Sequence, residues 1–259
     1  MALHARQILK ADSTVHPHPV SAAPEMRYPL IALTSQLQAI AGEFRNAAFA
    51  SSLGAEDMVV TDAIFTQDLP IAVFTLDTGR LPDETLDLLQ RMRGRYSREV
   101  EVFRPDAADV QGYVSAHGAN AFYESVELRK SCCHIRKVAP LSRALAGRDA
   151  WVTGLRRAQS VTRTDLPLRE FDAAHGLVKF NPLAEWSEQE VWAYVRDREV
   201  PYNALHDRGY PSIGCGPCTR AIRHDEDVRA GRWWWESRDR KECGIHLSPL
   251  AKQTGETTT

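Results

Sequence analysis

The chain has 259 residues, 43% of them hydrophobic, enough to bury a full core as one large domain or two small ones. Lys and Arg total 32 against 34 Asp and Glu, a formal net charge of −2, which argues against a broad nucleic-acid footprint. No apolar run approaches the roughly 20 residues of a membrane span, and Met1 to Pro24 lacks the apolar stretch of a signal peptide, so a cytosolic protein is expected.

Residues 1–25 are polar and rich in Pro and His, and residues 251–259 are mostly Lys, Gln, Gly and Thr, so both ends read as disordered. Ala47 to Ala50 predicts a short strand entering the turn Ser51-Ser52-Leu53-Gly54, and Val59, Val60, Ala63 and Ile64 share a helical face. Ile71 to Leu76 is a buried-strand run that stops at Asp77-Thr78-Gly79. A helix follows from Pro82, with Asp83 and Glu84 in its first turn and Gly94 expected just past its end. Val100 to Phe103 predicts a third strand and Ala107 to His117 a helix. Residues 121–146 read as helical, interrupted at Cys132-Cys133. Trp151 to Thr153 is a fourth strand ending at Gly154, and Leu177 to Phe180 a fifth. Ser187 caps a helix, with Glu190 at the capping-box position, that runs to Arg198. From Tyr202 the chain loses periodicity and becomes loop-rich.

Strand, turn and helix in alternation predict an α/β fold, a mostly parallel sheet with helices on both faces, over residues 26–200. Residues 201–250 form a loop-rich C-terminal extension on the same domain. Ligands of such sheets bind beyond the carboxyl ends of the strands. Here three strands end in Ser-Ser-Leu-Gly, Asp-Thr-Gly-Arg and Thr-Gly-Leu-Arg-Arg, small residues and arginines that suggest an anionic ligand.

Five cysteines make an odd and uneven set, all in the second half of the chain. A secreted disulfide framework would be denser and even-numbered. Cys132 and Cys133 are adjacent, and Cys215 and Cys218 form a C-x-x-C in a turn where Gly214 and Gly216 are expected to let backbone amides approach the sulfurs. Two such pairs suggest a four-thiolate site rather than buried free thiols or a redox C-x-x-C. Zinc ligands come as two spaced knuckles, whereas adjacent helical residues point about 100° apart. An iron–sulfur cubane tolerates that better, and His134 beside it reads as structural rather than as a ligand. Cys243 stands alone among Arg240, Lys241 and His246, cations that favour a thiolate.

Six segments then form a recognisable set: Ser-Ser-Leu-Gly-Ala-Glu-Asp (51–57), Leu-Asp-Thr-Gly-Arg-Leu (76–81), Cys-Cys-His-Ile-Arg-Lys (132–137), Trp-Val-Thr-Gly-Leu-Arg-Arg-Ala-Gln-Ser (151–160), Gly-Cys-Gly-Pro-Cys-Thr (214–219) and Glu-Cys-Gly-Ile-His (242–246). In this order, from about residue 40 to 247, the chain resembles the assimilatory adenylyl-sulfate (APS) reductases, close relatives of the phosphoadenylyl-sulfate (PAPS) reductases. The resemblance implies an adenine-nucleotide α-hydrolase-like, PP-loop-related fold. It also implies a [4Fe–4S] cluster on Cys132, Cys133, Cys215 and Cys218, and Cys243 as catalytic nucleophile. Ser51, Ser52, Gly54 and Asp57 match the modified PP-loop, and Leu76, Thr78, Gly79 and Arg80 the adenosine-binding turn. Gly154, Arg157, Gln159 and Arg163 match the arginine loop. Lys137, Arg229, Arg232 and His246 are the cations expected around the phosphosulfate. The loop departs from the Ser-Gly-Gly-x-Asp-Ser of true pyrophosphatases, which speaks against ATP cleavage.

The resemblance implies reduction of APS to sulfite and AMP in sulfate assimilation, through an S-sulfocysteine resolved by thioredoxin, with no nucleic acid or membrane involved. Homo-oligomerisation is compatible with it. PAPS reductases typically lack the four cluster cysteines, which favours APS; PAPS or dual specificity is the alternative. A reading of another class is an iron–sulfur redox-sensing nucleotide-binding module, which needs no cysteine outside the cluster. Trp233-Trp234-Trp235 is expected to clamp the C-terminal segment, and Trp186 and Trp192 to lie in the core.

Overall fold

The computed structural model describes residues 24–160 and 163–237. Its element order is α1 (Pro24–Glu43), β1 (Ala47–Ser51), α2 (Ala55–Thr66), β2 (Ala72–Leu76), α3 (Asp83–Tyr96), β3 (Glu101–Phe103), α4 (Ala107–His117), α5 (Val126–Cys133), α6 (Ala139–Leu145), β4 (Ala150–Val152), β5 (Arg169–Asp172), β6 (Leu177–Phe180) and α7 (Glu188–Asp197). The six strands lie in the order β3-β2-β1-β4-β6-β5, every neighbouring pair parallel except β5 with β6.

Strand side chains alternate between two cores, as the pleat requires. Phe49, Val73, Ala150 and Val152 face a core with residues of α1, α2, α3 and α7. Ala48, Phe74 and Trp151 face the other way, onto Leu141, Ala144 and Leu145 of α6. The strands are therefore covered on both faces and read as continuous apolar runs. Behind the sheet, Asp62 of α2 is buried and accepts from Tyr96 (2.8 Å), Tyr194 (2.7 Å) and Arg198 (3.0 Å), which ties α3 and α7 to α2.

Four features differ from the sequence expectation. Helix α3 passes through Gly94 and ends at Tyr96, with Ser97 in the left-handed conformation (φ 49°) as its cap. Tyr96 holds that last turn down through Asp62 and the Phe65 ring, outweighing the weak helix propensity of Gly94. Helix α1 was not anticipated, although Leu33, Leu37 and Ile40 recur at helical spacing and are buried. Edge strand β5 was also missed, because its sequence Arg-Glu-Phe-Asp carries no apolar run. The helical stretch around Cys132-Cys133 is not broken: α5 ends at Cys133 and continues as a π-turn, His134–Val138, into α6. Among the described residues no helix is long and apolar enough to cross a membrane.

Candidate active site

A cleft of about 240 Å³ opens beyond the carboxyl ends of β1, β2 and β4. Ser51, Ser52, Gly54 and Asp57 line it after β1, Leu76 and Thr78 after β2, and Gly154 after β4. Gln159, Arg163, Lys137, Arg229 and Arg232 complete the expected set that faces it.

The turn after β1 is organised by its own carboxylate. Asp57 Oδ2 accepts from the Ser52 amide and from the Ser52 hydroxyl, both at 2.6 Å, while Ser51 Oγ accepts from the Leu53 amide at 3.2 Å. Leu53 takes a left-handed φ of 63°, which disfavours a side chain by about 1–2 kcal/mol, and burial of that side chain holds it there. Burial pushes the Asp57 carboxyl up to about 6, against the two Ser52 hydrogen bonds, with Glu56 adding to the rise. A Cβ on Gly154 would stand 2.0 Å from Asp57 Oδ1, so only glycine lets β4 close onto this loop. Both Ser52 groups are thus committed inside the protein.

Of the two consecutive arginines after β4, Arg156 turns inward. It is buried, donates to Glu56 at 2.7 and 3.0 Å, and reaches the Trp186 carbonyl at 3.3 Å. Arg157 points out of the cleft to Glu185 (3.2 Å) and the Leu166 carbonyl (2.8 Å). The Gln159 carbonyl accepts from the Arg156 amide (3.1 Å) and from Arg163 (2.7 Å), folding the loop on itself. Gly79 (φ 69°) turns the chain after β2, and Arg80 lies over the Phe122 ring at 5.1 Å, on the side of the thiols rather than in the nucleotide-sized cleft.

Cys132, Cys133, Cys215 and Cys218 are all buried and line one second cavity, which shares Lys137, Cys215 and Trp233 with the cleft. Arg80, Arg129 and Arg136 also line it, and no acidic residue does among the described residues. Arg80 Nη1 and Trp233 Nε1, both in residues of this wall, are buried without a hydrogen-bond partner. Unanswered donors and cations around four thiols suit an anionic polynuclear group. Among the described residues no three His, Cys, Asp or Glu side chains are gathered to hold a single metal ion. Burial alone would raise Cys215, but Lys137, the Thr78 hydroxyl at 3.3 Å and Arg232 outweigh it and lower the thiol. Cys218 is pushed up to about 12 by burial and by Cys215. His134 is exposed.

The expected use of Gly214 and Gly216 is different from the observed one. Their amides donate to the Thr219 hydroxyl (3.1 Å) and the Arg80 carbonyl (2.8 Å), not to sulfur. Gly214 instead clears space for Arg232, whose guanidinium a Cβ would meet at 2.2 Å. Sequence reasoning also missed Arg136, which donates to the Thr78 carbonyl at 2.8 Å, and the buried pair Arg129–Glu236 (2.7 and 2.9 Å) beneath Trp233. Glu56 and His206 of the cleft wall were missed as well. Trp233 is buried, Trp234 is exposed, and Trp235 packs on Tyr123 with ring centres 4.4 Å apart. Trp186 lies in the core and Trp192 at its margin. Cys243 and His246 lie outside the described residues.

Residues 46–221 match the phosphoadenosine phosphosulfate reductase domain. The chain is 58% identical over 227 residues to the adenosine 5'-phosphosulfate reductase of Burkholderia cepacia, spanning 88% of this chain and 91% of that one. It is equally 58% identical over 215 residues to the adenosine 5'-phosphosulfate reductase of Allochromatium vinosum, spanning 83% and 84%. Among solved structures it is similar to a phosphoadenylyl-sulfate reductase from Candida auris in complex with phosphate (TM-score 0.64, 25% identity, 79% of this chain and 100% of that one). A Candida glabrata FMN adenylyltransferase shares the fold alone (TM-score 0.55, 12% identity, 88% and 81%). The match spans β1 through the Cys215–Cys218 turn, the stretch that supplies most of the lining of both the cleft and the thiol cavity, and the chain belongs to the phosphoadenosine phosphosulfate reductase domain family.

Proposed function

We propose that this chain reduces adenosine 5'-phosphosulfate to sulfite and AMP in sulfate assimilation, with Cys243 as nucleophile and thioredoxin as reductant. The observation that carries the reading is the charge layout of the cleft. Lys137, Arg229 and Arg232 line it together with Cys215, while Glu56 and Asp57 stand in its wall at the start of α2. Such a cleft suits a nucleotide with one anionic end. Among the described residues the other two basic groups near Asp57 are engaged within the protein, Arg163 by the Gln159 carbonyl at 2.7 Å and Arg156 by Glu56. That favours APS over PAPS, whose additional phosphate would need its own cations.

In the reaction the Cys243 thiolate attacks the sulfate sulfur, the bond from sulfur to the bridging oxygen breaks, and AMP leaves with the electron pair on its phosphate. Lys137, Arg229 and Arg232 stabilise that developing charge. A thioredoxin thiolate then attacks Cys243 Sγ and releases sulfite, and the second thioredoxin thiol frees Cys243 as the thioredoxin disulfide forms. Cys132, Cys133, Cys215 and Cys218 would hold a [4Fe–4S] cluster, a buried charged group beside Lys137 that crosslinks α5 to the 214–218 loop. The reduced thiols this requires suit the cytoplasm.

The test is an anaerobic assay with APS or PAPS and thioredoxin, alongside iron quantitation. Cys243→Ser is expected to abolish sulfite release while the purified protein keeps its iron. Turnover by Cys243→Ser, or a higher kcat/KM for PAPS than for APS, would overturn the reading.

A further inference from the structure

Two of the cations that line the cleft, Arg229 and Arg232, come from one loop, residues 219–232. The loop is closed at its base. Thr219 and Arg232 pair as an antiparallel bridge, and the Arg220 amide donates to the Gly231 carbonyl at 3.0 Å. The two ends lie so close that a Cβ on Gly231 would stand 2.3 Å from the Arg220 carbonyl oxygen. Arg232, at that base, is buried and held by its own neighbours: its guanidinium lies 4.8 Å from the Trp233 ring centre and donates to the Ile213 carbonyl at 3.2 Å. Arg229 is half-buried and sits farther from the base, so its placement depends on the course of residues 221–230.

One carboxylate shapes that course. Glu226 accepts from both terminal nitrogens of Arg220, at 2.7 and 2.9 Å, and from the Arg223 amide at 2.8 Å. Arg220 and the Arg223 amide hold its carboxyl down to about 2, so it stays charged at neutral pH. Two parallel bonds between a guanidinium fork and a carboxylate fix direction as well as distance. From Glu226 the chain enters a turn at Asp227, whose carboxylate accepts from the Arg229 amide (2.9 Å) and whose carbonyl accepts from the Ala230 amide (2.8 Å). That turn sets Val228 and Arg229 in the cleft wall, whereas Arg220 does not line the cleft. The Arg220–Glu226 pair is partly exposed, and such pairs contribute little to stability, so its consequence is geometric. We propose that Glu226 and Arg220 are positioning residues that hold this loop so that Arg229 meets the anionic end of the substrate. The inference rests on the reading that Arg229 is one of the phosphosulfate-binding cations.

The experiment measures calorimetric affinities of APS and of adenosine, which lacks the anionic end, for the anaerobically purified full chain carrying Cys243→Ser, so that binding is read without turnover. The same protein is then compared with Glu226→Ala, Arg229→Ala or both added. Glu226→Ala should weaken APS roughly tenfold, the worth of one charge-assisted contact, and leave adenosine unchanged. Arg220→Ala, which removes the other half of the pair, should give the same pattern. In the Arg229→Ala protein, Glu226→Ala should add almost nothing to the loss, because the group it positions is already gone. Equal weakening of APS and adenosine, as expected from general damage to the loop, would overturn the proposal. Unchanged APS affinity in Glu226→Ala, or additive losses in the double variant, would overturn it as well. Where Arg229→Ala weakens APS and Glu226→Ala does not, the positioning role alone falls; an Arg229→Ala protein that binds APS as tightly as its parent would overturn the assigned role of Arg229 and the proposal with it.

Discussion

Replacing Gly154 by alanine puts a methyl group where the structure has none to spare. Its Cβ would lie 2.0 Å from Asp57 Oδ1 and 3.2 Å from both Asp57 Cγ and the Asp57 amide nitrogen. Gly154 does not occupy the left-handed region, so the substitution acts through this contact and not through backbone strain. Relief requires the carboxylate to retreat by about 1 Å, yet its other oxygen is held by the Ser52 amide and hydroxyl at 2.6 Å each. Hydrogen bonds to a charged group contribute about 1.5–3 kcal/mol each, and overpacking alone costs about 1–3 kcal/mol. Partial loss of both bonds then places Gly154→Ala at about 3–4 kcal/mol of lost stability, with weakened AMP binding because the 51–54 loop moves with Asp57. Urea unfolding and calorimetry read the two effects. In the Gly154→Ala, Asp57→Ala double variant the clash is gone, so the two losses should be far from additive. A Gly154→Ala protein within about 1 kcal/mol of wild type, or strict additivity in the double variant, would refute the reasoning.

The buried Arg129–Glu236 pair, with side chains 0% and 4% exposed, should behave asymmetrically. Arg129→Met is expected to cost about 3–5 kcal/mol by stranding Glu236, whereas Arg129→Met with Glu236→Leu should regain most of it in chemical denaturation. A second expectation concerns pH. The folded Asp57 carboxyl titrates at about 6 against an ordinary 3.8, so the folded state holds the proton more tightly. That contribution is fully present below about pH 4 and is lost as pH rises through about 6, about 3 kcal/mol in all. Asp57→Asn should flatten this slope, and parallel stability curves for the two proteins would contradict it. Finally, Cys218→Ser should lose iron absorbance and most activity, while full turnover in a colourless Cys218→Ser protein would remove the cluster from the mechanism.

The parts of the fold that were readable share a physical cause. Strands buried on both faces must be apolar along their length, so Ala72–Leu76 and Ala150–Val152 announce themselves locally. The α7 start is equally local: the Ser187 hydroxyl and the Glu190 carboxylate satisfy each other's amides across three residues. Strand β5 has only its pairing with β6 to recommend it, since Arg169 and Phe171 are exposed on the sheet edge. The end of α3 was misjudged because what holds Tyr96 helical is Asp62, 34 residues earlier in the chain.

By itself the sequence determined the alternating α/β layout, the cysteine pairs and most of the residue types that line the cleft, because these depend on periodicity and short spacing. Only the tertiary structure decided which of neighbouring candidates faces what. Arg156 rather than Arg157 turns inward because Glu56 waits there 100 residues away in sequence. Arg80 belongs to the thiol cavity, and Gly214 serves Arg232 rather than a sulfur. The near-neutral sum of charges conceals a local gathering, with Lys137, Arg163, Arg229 and Arg232 lining one cleft together with Glu56 and Asp57. Partners so distant in sequence meet only when the sheet closes, and no local pattern encodes their meeting.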